Sequence, residues 1–222
     1  AELGARHIGD IAKLSKIVRP DIGVVLKVGS AHIAEFGSAE NIARAKSELS
    51  QSLPVEGIAV LGTYDEFTPK MATGFAGRVI KFGESTDCDV RAADIEIREG
   101  SPHFDLVDSE GRVSVGMRLI GAHQIPNALA AAAASIALGI SNDHIATALS
   151  TAENRSKWRM QLHDLSGLLI INDAYNANPA SMRAALDTLV GMKASRHVVI
   201  AGQMAELSDS SNEHKAIVDY AL

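Results

Sequence analysis

Apolar positions recur along the chain with two different periods. Between Ile8 and Val18 they fall at 8, 11, 14, 17 and 18, the stripe of an amphipathic helix, and Pro20 stops it. Residues 22–28 (IGVVLKV) form instead a short, nearly continuous apolar run, which predicts a strand buried on both faces of a parallel sheet. A glycine-containing turn, Gly29-Ser30-Ala31-His32, follows. Ser38 is a good N-cap and Glu40 sits where the helix dipole favours a negative charge, so a second helix is predicted from there to about Leu53, with Pro54 blocking its continuation. Residues 57–61 (GIAVL) predict the next strand.

From about residue 74 to residue 121 the pattern shortens. Alternating runs at 78–82, 90–97, 103–107 and 113–119 are separated by Gly, Asp and Ser turns, which predicts antiparallel hairpins appended to the sheet. Pro126 marks the start of an alanine-rich helix that Gly139 can stop, and a shorter helix is predicted over 142–149. The polar stretch 150–157 is the candidate boundary between two domains, 1–152 and 153–222. Beyond it strand and helix alternate again: a strand at 168–172, a helix at 179–190, a strand at 197–201 and a helix from Ser210. The expected fold class is α/β, a mostly parallel sheet flanked by helices with an appended antiparallel β region. Ligands of such sheets sit beyond the carboxyl ends of the strands, which singles out the loop of His32 and the loops 173–178 and 202–208.

Composition narrows the class. With 222 residues, 46% apolar and 22% charged, the chain can build a packed core and reads as soluble and globular. A net charge of -6 argues against a nucleic-acid backbone as partner, because phosphate binding needs basic surface. The single cysteine, Cys88, excludes a disulfide framework and fits a reducing cytosol. The longest apolar run, 128–140, suits a buried helix rather than a membrane span, and no signal peptide is expected. The chain opens at Ala1 and stops at Leu222 inside a helical pattern, so both ends are expected to be cuts.

Three residues from successive segments draw attention as possible metal ligands. Lys46 lies four residues after Ile42 and three before Leu49, so it borders the buried face of its helix. It is either a snorkelling lysine whose stem covers apolar surface, or an amine in a polar site whose basicity falls on desolvation. Such an amine could take up carbon dioxide and become a metal-binding anion. His32 could bind a metal or cap its turn, and Glu2 could be a ligand or plain surface. Asn172-Asp173-Ala174-Tyr175-Asn176-Ala177-Asn178-Pro179 is the densest signal. Asn178 and Pro179 are accounted for as helix cap and first helical residue; Asp173 and Asn176 could bind ribose hydroxyls or phosphate. In His123-Gln124-x-x-Asn127, Asn127 could read an adenine edge or satisfy backbone groups. Neither Gly-x-Gly-x-x-Gly nor Gly-x-x-x-x-Gly-Lys-Ser/Thr occurs, so a dinucleotide oxidoreductase has little support and a complete phosphate loop is not among these residues.

The ordered set Glu2-Leu-Gly-Ala, Gly29-Ser-Ala-His32, Glu35-Phe-Gly-Ser38, Ala45-Lys46-Ser-Glu48, Gly121-x-His-Gln-x-x-Asn-Ala-Leu-Ala, Trp158-Arg159-Met, Asn172-Asp-Ala-Tyr-Asn-Ala-Asn-Pro-x-Ser-Met182 and Met204-Ala-Glu-Leu207 resembles the Mur ligases, over essentially the whole chain. Within them it is most similar to the members that add D-alanyl-D-alanine to UDP-N-acetylmuramoyl-tripeptide in bacterial peptidoglycan synthesis. The resemblance implies that residues 1–152 are the latter part of the central ATPase domain and 153–222 the first part of a Rossmann-like C-terminal domain. It implies an ATP- and Mg2+-dependent ligase forming an amide through an acyl phosphate, cytoplasmic and monomeric, with no nucleic-acid or membrane partner. Its metal ligands map onto Glu2, His32 and a carbamylated Lys46. Asn127 is expected near adenine, Arg159 near the terminal phosphate and Asp173 near ribose, with Asn176 also on the nucleotide; Lys46 and Arg159 are the expected catalytic residues. Lys27, Gly62-Thr63-Tyr64, Gln124 and Gln203 depart from the usual family pattern. The alternatives are a sister Mur or folylpolyglutamate-type ligase, or an inactive nucleotide-binding module.

Overall fold

A computed structural model describes residues 1–29, 33–205, 207 and 209–222. The readings placed on Ser30, Ala31 and His32, and on Glu206 and Ser208 of the third loop, fall outside them.

Six strands form one sheet in sequence order: β1 (Ile22–Val25), β2 (Ile58–Gly62), β3 (Arg78–Gly83), β4 (Val90–Arg98), β5 (Ser101–Asp108) and β6 (Gly111–Gly116). The first three run parallel, with Ile22 opposite Ile58 and Ile58 opposite Arg78. The apolar runs of β1 and β2 are continuous because both faces of the sheet are covered. Val60 points into one core, against Leu129, Ala132 and Ala133 of helix α4 (Gln124–Ala137). Its neighbours Ala59 and Leu61 point into the other, against Leu49 and Ala43 of helix α3 (Ala39–Gln51). Gly62 ends β2 where a side chain has no room, since a Cβ would lie 2.0 Å from the Leu26 carbonyl oxygen. That close approach explains why glycine stands at this departure from the family pattern.

The region 74–121 differs from the expected set of hairpins. β3 continues the parallel sheet and β4 pairs with β3 in parallel too, though only through Phe82–Val90 and Gly83–Arg91. Parallel neighbours usually need a long crossover. Here residues 84–89 suffice, because β4 begins beside the end of β3 and runs on past it. Within this region the β4–β5 and β5–β6 pairings are antiparallel. Alternation reports which face of a strand is buried and not the direction of its neighbour, so the sequence could not separate the two arrangements.

Helix α1 (Asp10–Val18) packs on α3. It starts two residues later than the apolar stripe suggested, and its entry is fixed by a residue from elsewhere. Glu48 of α3 accepts the Gly9 N–H at 2.5 Å and the Ala12 N–H at 2.9 Å, satisfying two of the donors a helix start leaves unpaired. This carboxylate is only 9% exposed. A short helix, α2 (Ile33–Phe36), precedes α3, and Ser38 caps α3 as expected, its Oγ accepting the Asn41 N–H at 3.2 Å.

After helix α5 (Asn142–Thr151) comes the irregular segment 152–160, then a hairpin of β7 (Gln161–Leu165) and β8 (Leu168–Asn172), and helices α6 (Pro179–Gly191) and α7 (Ser210–Ala221). α6 starts as its sequence directs: Asn178 and Ser181 exchange side-chain-to-backbone hydrogen bonds in a capping box, with Pro179 as first helical residue. Leu186, Met204 and Ile217 close a small core between α6, α7 and the preceding loop. Two expectations fail here. β8 is largely exposed and pairs antiparallel with β7, rather than lying buried in a parallel sheet. Residues 197–201 are not a strand, and Ile200 is 97% exposed. A strand requires a hydrogen-bonding neighbour, and among the described residues none pairs with this run.

Replacing Glu48 with Ala leaves the Gly9 and Ala12 amides without their buried acceptor. The expected cost is about 1–3 kcal/mol of stability, read as a lower urea midpoint with an unchanged slope. An unchanged midpoint would show that water satisfies the α1 entry equally well.

Candidate functional site

The two halves of the chain enclose a cleft of about 390 Å3. Leu119, His123, Gln124 and Asn127 form one wall, Asn154 to Ser156 with Arg159 and Met160 line it along the connecting segment, and Asp173, Ser181 and Ala184 close it from the second half. Asn127, Arg159 and Asp173, which come from three separate segments of the sequence, therefore face one space.

The first wall is shaped by Gly121. Its φ of +100° lies in the region that side chains avoid, and a Cβ there would stand 2.3 Å from His123 Cε1. The turn can thus fold the imidazole in under the start of α4. Gln124 ties the ring to Asn127: its Oε1 accepts Asn127 Nδ2 at 3.1 Å, and its Nε2 lies 3.2 Å from His123 Nε2. With the amide donating to Nε2, the imidazole proton resides on Nδ1, and Nδ1 is buried with no protein partner. Burial pushes the His123 pKa below its ordinary value, against the attraction of Asp173 and with the repulsion of Lys27. Burial thus favours the uncharged ring, which lines the edge of the cleft.

Arg159 is presented by a kinked segment. Its neighbours Trp158 and Met160 both have positive φ, +61° and +48°, a conformation that costs a non-glycine residue roughly 1–2 kcal/mol. The kink is retained by bonds to the second half: Met160 N–H donates to Asp173 Oδ1 at 3.0 Å and Tyr175 N–H to the Trp158 carbonyl at 2.9 Å. Asn154 Nδ2 donates to the Arg159 carbonyl as well. The guanidinium lies over the Tyr175 ring, 4.1 Å from its centroid, a cation–π contact that leaves its N–H groups free to point into the cleft.

Lys46 belongs to a second cluster, at the carboxyl end of β1. Its Nζ donates to the Lys27 carbonyl at 2.6 Å. Burial lowers its pKa, opposed by the charge of Asp65 and assisted by that of Lys27. Glu2 is exposed in the irregular segment before α1, and His32 lies outside the described residues. Among the described residues no three His, Cys, Asp or Glu side chains converge on a possible cation. Asn176 is exposed and accepts the N–H of Ala177; it is not on the cleft wall. Cys88 is buried, and among the described residues no helix is long and apolar enough to cross a membrane.

Two functional candidates were missed as individuals in the sequence. His123 appeared only as part of a motif, although the positive-φ glycine two residues before it is the signal of a tight turn around a ring. Asp65 went unread beside Gly62-Thr63-Tyr64, although Asp followed by Thr three residues on is a turn-forming pattern.

Comparison with known proteins places both halves of the chain in known domain families. Residues 1–135 match the Mur ligase middle domain and residues 158–222 the Mur ligase, glutamate ligase domain. The UDP-N-acetylmuramoyl-tripeptide–D-alanyl-D-alanine ligase of Mycobacterium tuberculosis is 41% identical over 97% of this chain, which covers 44% of that protein. The crystal structure of MurF from Acinetobacter baumannii superposes with a TM-score of 0.90 at 37% identity, over 99% of this chain and 48% of that one. MurF of Thermotoga maritima, solved in complex with ADP, superposes with a TM-score of 0.83 at 26% identity, over 99% of this chain and 50% of its own. The chain thus spans about half the length of the relatives it matches. A middle-domain match across more than half of its residues, continued by the second domain on the far side of the cleft, establishes that this chain belongs to the Mur ligase family.

Proposed function

We propose that this chain is the nucleotide-handling part of an ATP-dependent amide ligase that joins D-alanyl-D-alanine to UDP-N-acetylmuramoyl-tripeptide in peptidoglycan synthesis. The observation that carries the reading is the cleft that gathers Asn127, Arg159 and Asp173 from both halves of the chain. Its polar groups suit a nucleotide: an amide for a base edge, a guanidinium for phosphate and a carboxylate to accept from ribose hydroxyls. The ADP complex of the Thermotoga relative supports the same ligand class. The D-alanyl-D-alanine ligases among the relatives favour that acceptor over other amino acids. We also propose that residues 1–152 are the latter part of the ATPase domain and 153–222 the first part of the C-terminal domain; the two family matches stop and restart on either side of this boundary.

When bound, ATP supplies the phosphoryl group that activates the tripeptide's terminal carboxylate as an acyl phosphate. The obstacle is electrostatic. Two like unit charges about 4 Å apart repel by roughly 4 kcal/mol at an effective dielectric near 20, and by more in a drier site. Arg159, locked in its kink and stacked on Tyr175, brings a fixed positive charge against that repulsion without reorganising during the reaction. Asn127, tied to Gln124, orients the base. The bonds of Asp173 and Tyr175 to 158–160 hold Arg159 beside Asp173, facing the wall that carries Asn127.

Magnesium would be held by Glu2, His32 and a carbamylated Lys46, and would neutralise phosphate charge. What supports the lysine is its placement: half-buried, with basicity lowered by burial, its amine can, once deprotonated, add carbon dioxide with loss of one further proton, becoming an anion.

In the intact protein, Arg159→Ala is expected to lower kcat by about 100-fold, typical of losing one preorganised charge donor, with KM for ATP changed far less. A kcat near the parent's would remove Arg159 from the mechanism. Lys46→Ala is expected to abolish ligation, with partial recovery on adding a small carboxylic acid. Full activity without rescue would rule out the carbamate.

A further inference from the structure

The peptide unit joining Lys27 to Val28 leaves the carboxyl end of β1, and both of its ends are engaged by ionisable side chains from other elements. Its carbonyl oxygen accepts Lys46 Nζ at 2.6 Å. Its N–H donates to Asp65 Oδ2 at 2.8 Å. A cation on the oxygen and an anion on the N–H polarise the same peptide dipole in the same sense, so each bond strengthens the other.

Asp65 is well fixed for this task. Beyond the Val28 amide, its Oδ2 accepts the Thr68 hydroxyl at 2.7 Å, and its Oδ1 accepts the Phe67 and Thr68 amides, both at 2.8 Å. Thr68 is 0% exposed. Burial alone would raise the pKa of Asp65, but the bonds from Thr68, Val28 and Phe67 outweigh it and hold the group below its ordinary value. The carboxylate is therefore anchored in the turn after β2, and from there it dictates how the peptide after β1 is oriented.

We propose that Asp65 is a positioning residue for Lys46: by gripping the Val28 N–H it aims the Lys27 carbonyl that anchors the Lys46 side-chain nitrogen. Only its consequence for turnover rests on the ligase reading; the anchoring does not. The nitrogen keeps one N–H after adding carbon dioxide, so the same carbonyl can anchor the amine and the carbamate. Asn at position 65 cannot replace the aspartate, because it would turn an NH2 group toward the Val28 N–H or sacrifice the bonds to Phe67 and Thr68.

The test uses Asp65→Asn in the intact protein without nucleotide. Amide exchange at Val28 should quicken about tenfold, the factor set by one hydrogen bond's usual net contribution, while Ala59, Val60 and Leu61 in β2 keep their protection. Acylation of Lys46 by an amine reagent, read by mass spectrometry, should rise. Unchanged exchange at Val28, or unchanged labelling of Lys46, overturns the proposal. Should the variant lose β2 protection, Thr68→Val, which removes one of the four donors and keeps the charge, is measured instead. Faster Val28 exchange then supports the anchor and unchanged exchange refutes it. In turnover, Asp65→Asn should lower kcat at least tenfold with KM for ATP within about twofold. If exchange and labelling shift as expected while the parent protein shows no ligation, the anchor stands and the ligase reading fails.

Discussion

The bonds from Met160 to Asp173 and from Tyr175 to Trp158 are the constraint on which the site depends. They pin the segment between the two halves in a conformation its side chains would not choose, with two non-glycine residues at positive φ around Arg159. Without that pinning the guanidinium would be one more exposed surface charge. With it, the charge is stacked on Tyr175 and set in the wall of a cleft whose opposite side carries Asn127. Strain of a few kcal/mol, balanced by contacts from the second half, converts a connecting segment into part of a binding site.

Helix α3 has a parallel role at the far end of the sheet. Glu48 secures the start of α1, and Lys46, two residues earlier, reaches the peptide after β1. One helix thus ties α1 and the end of β1 together through two ionisable side chains. Asp65 adds a third tie from the turn after β2. The small residues of α4 let that helix lie close across the strands, and Gly62 lets β2 approach β1. Packing brings the carboxyl ends of β1 and β2 together; the polar ties decide how their backbone groups point.

Much of this was legible in the sequence. The caps Ser38 and Asn178-Pro179, the apolar stripes of the helices and the doubly buried runs of β1 and β2 each carry a local physical signature. What was not legible depends on partners. Strand β7 is short and exposed, so its sequence QLHDL shows little alternation. The direction of β3 and β4 against their neighbours leaves no trace in their own residues. Residues 197–201 are apolar enough for a strand but lack a neighbour among the described residues. At the site, Asn127 and Asp173 were noted from their local motifs and Arg159 through family resemblance, yet nothing local announces that they share a cleft. Asp65 has no periodicity to betray it; its importance lies in four donors that only the fold assembles.

The cleft as an adenine-nucleotide site is the centre of this account. Photolabelling of the intact protein with an azido-adenine nucleotide, followed by peptide mapping, interrogates it directly. Labels should fall on the peptides containing residues 119–127 and 153–160 and be displaced by ATP. Labelling confined to the antiparallel strands β4 to β6, away from both walls, would contradict it.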